Sequence, residues 1–447
     1  MKKAAFLLVI MLLTASVEAF SQIPVNLKGK SRTTTEEITI NKVLRPAGRL
    51  AVQTAPDPVT GRIETILYPE LRKYDIVPTD IESLWQIKML EAQVYDELLR
   101  SGYSYDLRYA MEELMREFMN KAGQNNSFYI DSYLEARLYG LLRLVYPVRN
   151  TDKRPGVLSL RILSDIVPDA WVGPDGTMVI TTGMITAVNS EAELMALMAQ
   201  EVAHFALDHH LANYRNLLLT MIEPALGNLI RYTSKQELVA DQCAVSVLKL
   251  YRMDPAVLAS TLRKVLAAGE LMGNYYIGST NGFFPDAATR AASIQDTALW
   301  FSAEYEKMIA PVISYNAFSA YNQSQYLLCR RLLDRNIASG VATPDDLVLL
   351  SQAIMNLSGS DQEDENALAV VRSVTGTLQE PSPAAFKQEA LLLLKLGRRG
   401  EAEKALDRCE EALDREEQKY GSMSGDWSQM LSYLASEKDW VARTRSR

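Results

Sequence analysis

The chain has no dense run of lysine or arginine, and its formal charge is -8. That balance argues against a nucleic acid or an anionic membrane surface as partner. Cysteine is sparse: Cys243, Cys329 and Cys409 are an odd set on distant segments. A disulfide framework is excluded, one bridge at most is allowed, and three small buried side chains on helices is the favoured reading. Beyond the first residues no run approaches the ~20 apolar residues that a membrane span needs. What the chain does have is a large apolar share, 48% of 447 residues, enough for a sizeable core. At roughly 150 residues per domain, two or three domains are expected.

The opening MKKAAFLLVIMLLTASVEAFSQ places Lys2 and Lys3 before an apolar stretch from Ala4 to Leu13, then Val17-Glu18-Ala19 as a small-residue cleavage site. This pattern is a secretory signal peptide, residues 1–19. No cysteine adjoins the cut, so the expectation is a soluble, exported protein, periplasmic in a Gram-negative source. Residues 20–80 carry Thr, Pro, Gly and short alternating runs, which read as a strand-rich arm. From Ile81 the apolar residues recur at three- and four-residue spacing, the period of helices. LSLRIL and TMVITT, either side of Pro174-Asp175-Gly176, read as strands joined through a turn. Ser190 with Glu193 makes a capping box that opens one long helix, ELMALMAQEVAHFALDHHLANY. A core over 81–300 and a helical domain over 301–447 follow. Within the latter, Phe386 to Leu413 has the Ala, Leu and Gly pattern of a tetratricopeptide-type hairpin, with an irregular bundle as the alternative. YLLCRRLLDRNIASG with PDDLVLLSQAIMNLSG would be a second unit, and SGSDQEDENA between them reads as a solvated acidic loop. The fold class is α+β, mostly helical.

On the long helix Leu197, Glu201, His204 and Asp208 fall at i, i+4, i+7 and i+11, one stripe that also borders Leu194. A carboxylate and an imidazole on an apolar stripe must hydrogen-bond, reach a cleft or bind an ion. Alone, Glu-x-x-His favours a satisfied core pair. A second element, Glu237 with Asp241 one turn further, has the form of a third metal ligand and a partner that orients a ligand. Alone it is equally well a capping box, Ser234 with Glu237.

The ordered set DAWVGPDGTMVITTGMI, NSEAELMALMAQEVAHFALDHH, KQELVADQCAVSVL, MDPAVL and FFPDAATRAASI resembles the zinc endopeptidases of metallopeptidase family 48, those of the CAAX prenyl endopeptidase, HtpX and BepA type, over roughly 158–294. An exported member with a helical-repeat tail resembles the BepA branch. The resemblance implies a gluzincin-like core with a small sheet, a zinc ion, and helical hairpins that bind envelope polypeptides. It puts Glu201 on the general base, His204 on the second imidazole ligand, Glu237 on the carboxylate ligand and Asp241 on the residue that holds the first histidine. Gly173 to Ile185 matches the cleft edge, and Arg290 matches the arginine after the family's His-Pro pair.

Two positions depart from that pattern. Gln200 stands at the first zinc-binding histidine, and Phe284, before Pro285, stands at the later histidine. An amide oxygen is a poorer zinc donor than an imidazole, and neither His209 nor His210 shares the helix stripe. A site shifted to His204, Asp208 and Glu237 is the remote alternative. Gln200 can instead donate its NH2 to Asp241, with Arg290 neutralising the leftover carboxylates. The leading expectation is a peptidase-fold protein with lost or severely weakened metal chemistry that binds exported polypeptides. The runner-up is a working zinc endopeptidase with a Gln200, His204 and Glu237 ligand set. A third reading is an unrelated helical scaffold.

Overall fold

The computed structural model describes residues 23–44, 51–98, 104–147, 158–274, 277, 284–294 and 301–446; the signal peptide expected over 1–19 lies outside them. The described chain is α+β and mostly helical, in two compact units: Met1–Gly269 with Asn274–Phe301, and Glu270–Gly273 with Ser302–Arg447. Each is described by itself.

The first unit opens with five short strands: β1 (Ile23–Ser31), β2 (Glu37–Leu44), β3 (Ala51–Thr54), β4 (Thr65–Leu67) and β5 (Tyr74–Pro78). They form one antiparallel sheet in the order β4-β3-β2-β1-β5, with an irregular register in β1 between Pro24 and Leu27. Alternation puts Val25, Leu27, Ile40, Val43, Val52 and Ile66 on one buried face. Helix α1 (Ile81–Leu98) covers that face with Ile87. Its Trp85 donates to the carbonyl of Val145 at 2.6 Å, on α3 (Ser132–Val145), which follows α2 (Ser104–Gln124).

A second sheet has three strands, β6 (Ser159–Leu163), β7 (Ala170–Val172) and β8 (Thr177–Thr181). Central β8 runs parallel to β6 and antiparallel to β7, and all five of its residues are buried. Burial on both faces explains its unbroken apolar and Thr composition. Helix α4 (Thr182–Ala187) starts as β8 ends. There Gly183 donates to Asp165 O, and a Cβ on Gly183 would lie 2.2 Å from the Ile166 carbonyl oxygen.

Helix α5 (Glu191–Ala206) is capped by Ser190, whose hydroxyl accepts from the Glu193 amide. The capping box is not completed as expected. The Glu193 carboxylate instead takes the Asn189 amide, the Ser260 hydroxyl and the Lys264 ammonium, tying α5 to α9 (Ala256–Leu271). From Glu193 to Ala206 every residue is buried, so α5 is the central rod of the unit. The single long helix read from the sequence is in fact two. Asp208 adopts a left-handed backbone with φ 59° and a new helix, α6 (His209–Leu219), sets off from it. The break lets Asp208 form a two-point ion pair with Arg108 of α2. Short α7 (Leu226–Leu229), then α8 (Ser234–Leu250) and α10 (Ala287–Ser293), complete the unit.

The second unit is a succession of helices, α11 (Ala303–Asn322), α12 (Tyr326–Ala338), α13 (Pro344–Leu357), α14 (Asp361–Thr375), α15 (Pro383–Lys395), α16 (Arg399–Ser422) and α17 (Ser428–Arg445), each packed on the next. The turn expected inside Phe386 to Leu413 is Gly397, at φ 71°, where the left-handed cap suits glycine. The expected acidic loop is wrong in its second half. Ser360 caps α14, and Asp361, Glu363 and Asp364 fill its first turn, where the helix dipole favours acids. The three cysteines are unpaired and buried, as the apolar reading requires.

Gly183→Ala tests the join of β8 to α4. With backbone and no flexible side chain against the new methyl, a loss of about 1–3 kcal/mol is expected, read as a lower melting midpoint. An unchanged midpoint would show that the join yields.

Candidate active site

Three helices of the first unit bring the sequence-selected residues together. Helix α5 supplies Gln200, Glu201 and His204, α8 supplies Glu237 and Asp241, and α10 supplies Arg290. All six are buried, Gln200 and His204 at 0% exposure. Glu237 can face α5 because the cap of α8 is not the one the sequence suggested. Thr233 and Gln236 make the capping box, which leaves Glu237 in the first turn free of that duty.

Glu237 Oε2 is the meeting point. The Gln200 side-chain amide donates to it at 2.7 Å, and Arg290 Nη1 lies 2.9 Å away. Arg290 also clasps Asp241 by two parallel bonds of 2.7 Å. The expected Gln200 to Asp241 bond is therefore replaced: Arg290 takes Asp241, and the amide turns to the carboxylate that remains. His204 Nε2 stands 3.8 Å from the same Glu237 oxygen. Among the described residues, His204 Nε2 and Gln200 Oε1 have no hydrogen-bond partner.

Sequence reasoning missed the roof over His204. Tyr232 stacks on its ring at 3.5 Å between centroids, nearly parallel. The Tyr232 hydroxyl meets His210 Nε2 at 2.8 Å, and His209 Nδ1 meets His204 Nδ1 at 2.9 Å. The break at Asp208 swings the two later histidines round, so all three imidazoles of the chain gather about one tyrosine. The position of Tyr232, just before the cap of the Glu237 helix, was the available signal. Phe284 is buried at 1% exposure, its amide held by Ile277 O. Asp208 is committed to Arg108, which removes it from a shifted ligand set.

Burial sets the protonation states. It pushes the Glu201 carboxyl well above the usual range, and the charges of Glu237 and Asp169 add to the rise. Burial also raises Glu237 and Asp241, with Arg290 pulling both back. His204 is driven far down, first by burial and then by the Arg290 charge. Burial opposes the charge of Arg290 too, but Asp241 and Glu237 outweigh it and raise its pKa.

These side chains do not suit a zinc ion. A catalytic zinc site wants three good protein donors and an open fourth position. Here one imidazole nitrogen and one amide oxygen are left over, and the carboxylate oxygen between them already takes an amide and a guanidinium. Among the described residues no group of three or more His, Cys, Asp or Glu side chains is placed to hold a metal.

Burial lowers His210 to about 3. A folded value below the unfolded ~6.5 means that the unfolded chain takes up the proton first. Stability is then present above pH ~6.5 and drains away as the pH falls toward about 3, by about 5 kcal/mol for a shift of this size. In His210→Asn, melting midpoints followed across that window should fall less steeply with acid. An equally steep fall would assign the acid sensitivity elsewhere.

A family model, Peptidase family M48, matches residues 152–228. The match spans the second sheet and α5 with Gln200, Glu201 and His204, and it stops before α8. No curated protein matches the chain.

Proposed function

We propose that this chain, whose residues 152–228 match the model of peptidase family M48, a family generally dependent on zinc, is an exported relative of those enzymes that binds envelope polypeptides and whose peptidase chemistry is lost or severely weakened. One observation carries this reading: the carboxylate at the family's ligand position, Glu237, is spent on the Gln200 amide and the Arg290 guanidinium. Glu201, at the position of the general base, points the same way. Burial and the charges of Glu237 and Asp169 raise its carboxyl well above the usual range, toward the acid form, which accepts a proton less readily than a carboxylate. Phe284, in place of the later histidine, offers no polar group toward a developing charge.

Binding is assigned to the helical hairpins after 301, which we read as tetratricopeptide-like, and to the cleft that the resemblance places beside the segment Gly173–Ile185. Export is assigned to the segment 1–19, cut near Ala19. Among the described residues, no helix is long and apolar enough to cross a membrane.

A second reading, a zinc endopeptidase with Gln200, His204 and Glu237 as ligands, has one observation in its favour. The two partnerless polar atoms, Gln200 Oε1 and His204 Nε2, belong to that ligand set.

Metal analysis and cleavage assays on purified full-length protein decide between the two. The expected outcome is capture of a reduced, carboxymethylated polypeptide without cleavage, and zinc well below one per chain. Gln200→His should raise zinc affinity by about tenfold or more, since even a supporting residue is worth about 10–100-fold. Cleavage by the unmodified protein, stopped by both chelator and Glu201→Gln, would establish the second reading.

A further inference from the structure

The guanidinium of Arg290 is engaged on three sides. Its Nε and Nη2 hold the two oxygens of Asp241, and its Nη1 meets both Glu237 Oε2 and the Pro285 carbonyl. Asp241 and Glu237 sit one turn apart on α8, and Gln200 reaches the latter from α5. Two buried carboxylates so close need a cation. His204 Nε2 stands 3.8 Å from Glu237 Oε2, beyond hydrogen-bond reach. Arg290 is thus the charge that allows these acids to be buried together.

A second observation concerns α10. It has seven residues and begins after Asp286, a non-glycine residue at φ 53°. A helix that short does not hold itself. Arg290 is its buried polar anchor, and Ser234 fastens its first end through Asp286. Removing the guanidinium would release α10 as well as leave two acids unneutralised.

We infer that Arg290 is the resident cation of this site: a guanidinium joins α5, α8 and α10 where a zinc site would use a metal, so the cluster assembles and keeps its shape metal-free, with Arg290 positioning Glu237 and Gln200. The inference deepens the proposed function and rests on its metal-free reading.

A charge-deletion cycle on the full-length chain tests it. Arg290→Met keeps the length of the side chain and removes its charge. It should lower the melting midpoint sharply, because Glu237 and Asp241 stay buried without a partner. Glu237→Gln with Asp241→Asn removes the acids and should lower it too, by leaving the guanidinium unpaired. All three changes together should recover most of the Arg290→Met loss, since no buried charge is then left over. Arg290→Lys should fall between, having the charge without the two-pronged fork. Chelator should leave the midpoint of the unmodified chain where it was. If Arg290→Met does not fold, a folded triple variant is the same positive result, and an unfolded triple variant overturns the inference. Losses that simply add, in a chain free of zinc, overturn this inference alone. Stoichiometric zinc whose removal lowers the midpoint overturns both it and the metal-free reading.

Discussion

A buried carboxylate has to be neutralised by something, and in this chain that requirement organises the centre of the first unit. Helices α5 and α8 pack along each other with Glu201, Glu237 and Asp241 on their facing sides. Three acids in a dry place cost several kcal/mol each unless they are paired, bonded or protonated. The structure uses all three remedies. Arg290 pairs Asp241 and Glu237, the Gln200 amide bonds Glu237, and burial keeps Glu201 toward its acid form. Gln200 suits this arrangement because its NH2 meets the charged oxygen; with the amide turned over, two oxygens would face each other.

The second unit solves the same problem by the same chemistry, one helix junction at a time. Glu306 on α11 is closed by both arms of Arg335 on α12. Glu389 on α15 receives Arg372 from α14 and Arg408 from α16, and Asp364 on α14 receives Lys395 from α15. In each case the acid is buried while the cation keeps a path to water. Such pairs add little to stability compared with apolar packing, but they penalise any register that separates the partners. The site in the first unit differs in one respect: its cation is buried as well. A guanidinium sealed in with its acids cannot relax outward, and the three helices that supply the groups are bound to one geometry.

Much of this could be read from the chain. The apolar period gave α5, the alternating LSLRIL gave β6, the β-branched TMVITT gave β8, and the Gly397 turn gave the hairpin of α15 and α16. Helix spacing set Glu201 and His204 on one stripe and Asp241 one turn from Glu237, while the resemblance singled out Gln200 and Arg290, whose place beside them was not legible. Connections made through backbone irregularity were not legible. The left-handed Asp208 ends α5 early, and nothing in the local pattern announces that break, because the partner of its carboxylate, Arg108, lies a hundred residues away in the chain. Thr233 and Ser234 are both credible caps, and the structure chose the first, which changed the meaning of Glu237. Tyr232 lies on no periodic face, and its place just before the cap of the Glu237 helix hints at a site residue without revealing the stacking on His204.

The same charge count bears on what the site can do. Glu201 is raised by burial and then by Glu237 and Asp169, and of the charges acting on it only Arg290 draws it down. That guanidinium has its bonds in Asp241 and Glu237, so it reaches Glu201 as a distant field and not as a partner. A better ligand at position 200 is itself a neutral donor, so any relief for the Glu201 carboxyl would have to come from the charge of a cation that it helps to hold. Recovering a base therefore needs a positive charge in the site as well as a better donor set. A closed site cross-braced by its own arginine is built to hold a shape, and the proposed binding role is the reading that makes direct use of that rigidity.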